Sequence, residues 1–203
     1  MAVSTKSVST PRAQRADAVR NRRRVLDAAR AAFAERGMDA QVEDIARRAG
    51  VGVGTVYRHF PTKQDLIDAL VAEHFTDLIA NATVALEADD PGTAFFDHLE
   101  YCYAAQSRDR MFDVLDEAAG SSTVMAQIID ELCLVIDKVI DRARTAGAVR
   151  EDLSADDIGI VMCGLGSAKR AESWFHGDDP ARRYFTLALD GMRAPAQRAR
   201  APR

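Results

Sequence analysis

Residues 41–66 read QVEDIARRAGVGVGTVYRHFPTKQDL. Val42, Ile45, Ala46 and Ala49 recur at helical spacing, with Glu43 and Asp44 in the first turn, where the helix dipole favours acids, and Gly50 closing the pattern. Val51-Gly52-Val53-Gly54 then leads into Thr55-Val56-Tyr57-Arg58-His59-Phe60, which Pro61 ends. Two short helices joined by a tight, glycine-bearing turn describe a helix-turn-helix. The alternating Gly50, Gly52 and Gly54 do not make a dinucleotide loop, because no strand precedes them and no acid follows in a βαβ context.

Working outward, Val25, Leu26, Ala29, Ala32 and Phe33 form an apolar stripe among Arg22, Arg23, Arg24, Arg30 and Arg36, an amphipathic helix that stops at Gly37. Residues 1–19 hold almost nothing large and apolar and are expected to be a flexible basic arm. On the other side, Thr62 is placed to cap a long helix from Lys63 to about Glu87, and Asp89-Asp90-Pro91-Gly92 breaks it. Helical spacing continues through Phe95–Tyr103, Met111–Leu115, Met125–Ile140, Ser154–Arg170 and Pro180–Arg193, with no period-two run. Paired acids at 89–90, 156–157 and 178–179 fall at loops or helix starts, where capping accounts for them. The fold class is therefore all-α: a three-helix domain carrying the helix-turn-helix over 20–66, a second helical domain over 67–193, and a tail over 194–203 expected to be disordered.

Charge sharpens the division. The 203 residues carry a formal −4, yet residues 1–60 hold 12 Lys/Arg against 6 Asp/Glu, and the remainder hold 15 against 25. One end suits a polyanion and the rest repels one. A mean hydropathy of −0.20 fits a globular soluble chain, no apolar run approaches the ~18 residues of a membrane span, and no secretory h-region is readable. The chain is thus expected in the cytoplasm, a reducing compartment with which three scattered cysteines agree.

The 41–66 segment resembles the amino-terminal signature of the TetR family of one-component bacterial transcription regulators: Ile45-Ala46, Ala49-Gly50-Val51, Gly54-Thr55-Val56-Tyr57, His59-Phe60, Thr62-Lys63 and Asp65-Leu66 stand in register. Gln41 replaces the usual Ser or Thr cap, and Gly52 a frequent Ser. The resemblance implies a homodimer on palindromic operator DNA, with Thr55, Tyr57, His59 and Lys63 as backbone clamps. Thr55 also offers a backbone N–H at a helix start. Base reading falls on Val53, Gly54 and Arg58; Arg58 suits a bidentate guanine contact, with a phosphate contact as the alternative. Arg47, beside Arg48, extends the electrostatic footprint.

For the carboxyl-terminal helices the resemblance implies a dimer interface through the last two and a small-molecule site between the others. Apolar stripes at Ile158, Val161, Met162, Leu165 and at Tyr184, Phe185, Leu187, Leu189, Met192 give that interface a physical basis. Phe95, Phe96, His98, Tyr103, Met111, Phe112, Met125, Ile129, Met162 and Trp174 are the expected pocket lining for an apolar or aromatic effector that releases a repressor from its operator. Each such residue also serves as plain core. Two other classes stay open: a metal or redox sensor using His98 and Cys102, or Cys133 or Cys163, and a helical enzyme. No catalytic motif supports the enzyme, and no cofactor is expected.

Overall fold

A computed structural model describes residues 11–108, 123–170 and 179–195, all helical apart from turns and one isolated bridge. The elements are α1 (Pro11–Arg36), a 3₁₀ turn at Gly37–Asp39, α2 (Val42–Ala49), α3 (Val53–His59), α4 (Lys63–Glu87), α5 (Pro91–Arg108), α6 (Thr123–Thr145), α7 (Ala155–Arg170) and α8 (Pro180–Met192). The all-α class holds. The helix expected around Met111–Leu115 lies outside the described residues.

The arm is shorter than its composition suggests. Residues 11–19 are helical and continue directly into the amphipathic part of α1. Pro11 supplies a pre-set φ at the first position, and alanines and arginines extend an already nucleated helix at little cost. Asp17–Arg20 and Asp27–Arg23 pairs line its exposed side.

The chain divides into two compact units after Leu70, later than the boundary expected after Leu66. In the amino-terminal unit α1 packs on α2 and α3. The buried side chains include Val25, Leu26, Ala29 and Phe33 of α1, Ile45 and Ala46 of α2, Val56 of α3, Phe60, and Leu66, Ile67 and Leu70 at the start of α4. Gly50 ends α2 at φ +65° and ψ +38°, with its own N–H donating to Arg47 O at 3.1 Å and that of Val51 to Ala46 O at 3.0 Å. The Arg24 guanidinium lies where a side chain at Gly50 would begin, 2.6 Å from a Cβ built there. Thr62 and Asp65 form a reciprocal cap: Thr62 N–H and Oγ1 donate to Asp65 Oδ2 at 2.8 and 2.7 Å, and Asp65 N–H returns to Thr62 Oγ1 at 3.1 Å.

In the carboxyl-terminal unit the largest buried groups are Phe95, Leu99, Ile140, Leu165 and Phe185. Arg142 of α6 donates to the carbonyls of Ala85 and Ala88, at 3.1 and 2.9 Å, and to that of Leu86. These are the carbonyls that the end of α4 leaves without intrahelical donors. Ser154 with Asp157, Asp90 with Gly92 and Thr93, and Asp179 with Arg182 N–H cap α7, α5 and α8, as acids at those positions should. The end of α8 is pinned to the turn after α6: Arg150 N–H donates to Met192 O at 2.9 Å and Ala194 N–H to Ala148 O at 3.1 Å. Gly164 of α7 lets α8 approach, since a Cβ there would stand 2.6 Å from Tyr184 Oη.

This core also contains polar groups. His98 of α5 is 2% exposed, with Nδ1 2.7 Å from Asn81 Oδ1 of α4 and Nε2 3.4 Å from Cys102 Sγ. Burial holds the imidazole pKa down to about 4 and pushes the Cys102 thiol up to about 12. With Asn81 Oδ1 as acceptor, the neutral ring carries its proton on Nδ1 and accepts from the thiol at Nε2.

Two consequences are measurable. Gly50→Ala forces an alanine into a left-handed conformation against Arg24 and should destabilise the amino-terminal unit by about 1–2 kcal/mol, read as a lower urea midpoint with unchanged slope. The unfolded chain binds the His98 proton more readily than the folded one, so that part of the stability is complete above about pH 6.5 and is lost as pH falls toward 4. The stability difference between the native protein and His98→Asn should shrink by roughly 2–3 kcal/mol from pH 7.5 to pH 4.5.

Candidate nucleic-acid interface

The helix-turn-helix presents one open face. Val56 of α3 points inward, buried with Phe60 just beyond the helix, while Gly54, Tyr57, Arg58 and Pro61 are exposed. Within α3 the open positions 54, 57 and 58 follow i, i+3 and i+4, so they form one continuous stripe opposite the anchor. Tyr57 is 44% exposed, far more than a packing tyrosine needs. Val53, Thr55 and His59 flank the stripe at intermediate exposure. The sequence-predicted residues 53–59 are therefore gathered on and beside a single surface.

Three of the expected roles change in detail. The Thr55 N–H is already committed, donating to Gly52 O at 2.8 Å; the first turn is tight, and only its hydroxyl is left for a phosphate. Lys63 is folded back, its Nζ donating to Met38 O and standing 5.7 Å from the Phe33 ring centroid. Its long stem reaches the 3₁₀ turn, so the ammonium ties the head of α4 to that turn as well as carrying charge. Arg47 is held by Asp44, which also binds Arg36 at 2.5 Å.

Arg48 is likewise engaged, in a bidentate pair with Glu35 at 2.9 and 2.6 Å that ties α2 to α1. The Arg48 hydrogen bond lowers the Glu35 carboxyl pKa, and the carboxylate raises that of Arg48. These acids border a hollow of about 260 Å³ lined by Glu35, Arg36, Asp44, Arg47 and Arg48 with Ala32 and Ala40. The pairs Arg36–Asp44 and Glu35–Arg48 join residues 8 and 13 apart, beyond any local spacing rule. No local pattern in the sequence therefore reveals that these arginines are paired.

Other cations stay against the turn. Arg22 covers the Phe60 ring at 5.3 Å and Arg24 lies over Gly50. His59 Nε2 is buried with no hydrogen-bond partner among the described residues, so this ring nitrogen at the last turn of α3 is shielded from solvent. Gln41 makes no side-chain cap on α2; its Nε2 donates to Asp39 O at 2.9 Å. The capping hydroxyl that the sequence lacks is not replaced.

The expected effector residues have mixed placements. Phe95 is fully buried and meets Phe96 edge-on at 5.0 Å; Arg193 covers the Phe96 ring at 4.1 Å. Tyr103 stacks on Phe185 at 4.6 Å with 7° between planes. Met162 packs partly buried against the same core. Ile129 is exposed, because it falls on the outward side of α6, and so does not join this group. Met111, Phe112, Trp174 and the Met125 side chain lie outside the described residues. His98 and Cys102 meet as their spacing predicts, but among the described residues no group of three or more His, Cys, Asp or Glu gathers as a metal ligand set. The thiol of Cys133 is raised by burial and by Asp156, Asp137 and Asp130, which disfavours the reactive thiolate. Cys163 is exposed. No helix among the described residues is long and apolar enough to cross a membrane.

Comparison with known proteins agrees with this geometry. Residues 25–70 match the model of bacterial regulatory proteins of the tetR family, and residues 90–194 match the model described as Transcriptional regulator SbtR-like, C-terminal domain. The HTH-type transcriptional repressor KstR of Mycobacterium tuberculosis is 30% identical over 64% of this chain and 61% of its own length; the chain thus spans about three-fifths of that relative. The HTH-type transcriptional regulator SrpR of Pseudomonas putida is 31% identical over 74% of this chain and 73% of its own. A TetR transcription regulatory protein from Mycobacterium vanbaalenii has a solved structure that is 31% identical, covers 89% of this chain and 99% of its own, and superposes with a TM-score of 0.63. With an open-faced helix-turn-helix in one unit and family matches covering both, the chain belongs to the TetR family, DNA-binding transcription regulators rather than enzymes.

Proposed function

We propose that this regulator binds a palindromic operator as a homodimer in the bacterial cytoplasm, with the stripe Gly54–Tyr57–Arg58 entering the major groove. The observation that carries this reading is the exposure of those three side-chain positions opposite the buried Val56. Arg58 reads a base edge, with Val53 and Gly54 beside it allowing close approach of α3 to the bases. Thr55 Oγ1, Tyr57 and the exposed part of the His59 ring clamp the backbone on either side, and Lys63 adds charge from the head of α4. Arg47 contributes through a guanidinium shared with Asp44, which lowers its weight in the footprint.

The second copy docks through α7 and α8. Ile158, Leu165, Phe185, Leu189 and Met192 of the expected stripes are taken up by the chain's own core, so the contact falls on Ile160, 70% exposed, Leu187, 56% exposed, and the exposed Tyr184, an apolar load that water disfavours on these two neighbouring helices. Two α3 helices so paired would meet half-sites about 34–36 Å apart. A small apolar ligand that favours a dimer with a different head spacing shifts the population off DNA. The relatives KstR and LfrR are named as repressors, and repression relieved by such a ligand is the reading adopted for this chain.

A mobility-shift titration on the DNA upstream of its own gene tests the central reading; no selective shift over scrambled DNA of equal length refutes it. On that operator, Tyr57→Phe should weaken binding several-fold at every sequence, whereas Arg58→Ala should lose about 1–3 kcal/mol of discrimination at one base pair of each half-site. Sedimentation should show Ile160→Asp with Leu187→Asp as a monomer that keeps its helical circular dichroism; a persistent dimer would place the interface elsewhere.

A further inference from the structure

One face of α5 carries a buried line of polar side chains. His98, Cys102 and Gln106 stand at i, i+4 and i+8, one above another, and all three are buried. The first two are satisfied through Asn81 and each other. Gln106, 7% exposed, is satisfied on one side only. Its Nε2 donates to Met162 O of α7 at 3.0 Å, which sets the direction of the carboxamide, and its Oε1 is buried without a hydrogen-bond partner among the described residues. A dry, unbonded carboxamide oxygen is less stable than a methionine of the same length would be in its place. A ligand that donates a hydrogen bond removes that cost.

We propose that Gln106 Oε1 is the hydrogen-bond acceptor for the effector, and that the effector is an uncharged, largely apolar molecule carrying a hydroxyl or N–H donor. The proposal rests on the effector-responsive reading above and names the chemistry of that site. One turn back from Gln106, Tyr103 stacks flat on the fully buried Phe185, an aromatic wall of the apolar core that surrounds the carboxamide. The cation over that wall, Arg182, stands 5.3 and 5.4 Å from the two ring centroids and is neutralised by Glu100, which accepts from it at 2.5 and 2.8 Å. A carboxylate would meet the lone pairs of Oε1 beside a guanidinium already matched. The imidazole and thiol on the same stripe are held neutral by burial and offer an anion nothing.

The test uses the full chain and matched probes: a medium-chain alkanol and a naphthol, the methyl ether of each, and the corresponding carboxylates, followed by calorimetry and by release of the upstream DNA. At least one hydroxyl probe should bind about tenfold tighter than its ether and its carboxylate. Gln106→Met should erase that preference while leaving ether affinity unchanged. Tighter binding by the carboxylates, no binding by either hydroxyl probe, or a preference that survives Gln106→Met overturns the proposal. If Gln106→Met does not fold, the ranking of the three probe classes on the native chain decides alone. A carboxylate that binds and releases DNA removes the neutral-donor assignment and leaves effector control standing. A hydroxyl probe bound through Gln106 without effect on DNA binding overturns effector control instead.

Discussion

Helix α3 has only seven residues, too few to be stable in water by itself, so its position depends on how it is fastened. The left-handed Gly50 reverses the chain after α2, and Val56 and Phe60 anchor the helix inward. Everything exposed on α3 follows from that arrangement. With Val56 inward, the helical period leaves Gly54, Tyr57 and Arg58 outward. Because Arg24 lies against Gly50, α1 supports the turn as well as the core. A shift of α3 by one residue would bury Tyr57 and turn Val56 toward solvent.

The ion pairs in the same unit alter the meaning of its net charge. Residues 1–60 carry an excess of six positive charges by sequence, yet Arg36, Arg47 and Arg48 are each matched by Asp44 or Glu35. These exposed pairs contribute little to stability, but they fix the rotamers of the guanidinium groups and lower their pull on phosphates. The long-range field still favours this end of the chain for DNA, while short-range contact shifts onto α3.

The carboxyl-terminal unit places polar side chains where its packing is otherwise apolar. His98 and Cys102 remain neutral there because burial penalises their charged forms. That neutrality disfavours the thiolate that a nucleophilic or redox role of the pair would need. It leaves hydrogen bonding as the polar language of α5, and Gln106 continues the same stripe.

Most of the fold was legible in the amino-acid order because its signals are local. Helical spacing located α2 through α4 and the two final helices, and acids or hydroxyls at helix starts identified Thr62, Asp90 and Asp179 as caps. The signature over 41–66 identified the family and the residues of α3. The helical start of α1 was hidden, since residues 11–19 lack the apolar stripe that distinguishes a packed helix from an arm. Contacts distant in sequence were equally hidden: Lys63 with Met38, Arg48 with Glu35, Gln106 with Met162. Nothing in the spacing of Gln106 distinguishes its two amide atoms. Only the packing of α7 against it satisfies one and leaves the other dry, because hydrogen-bond satisfaction is a property of the space around an atom and not of its place in the chain.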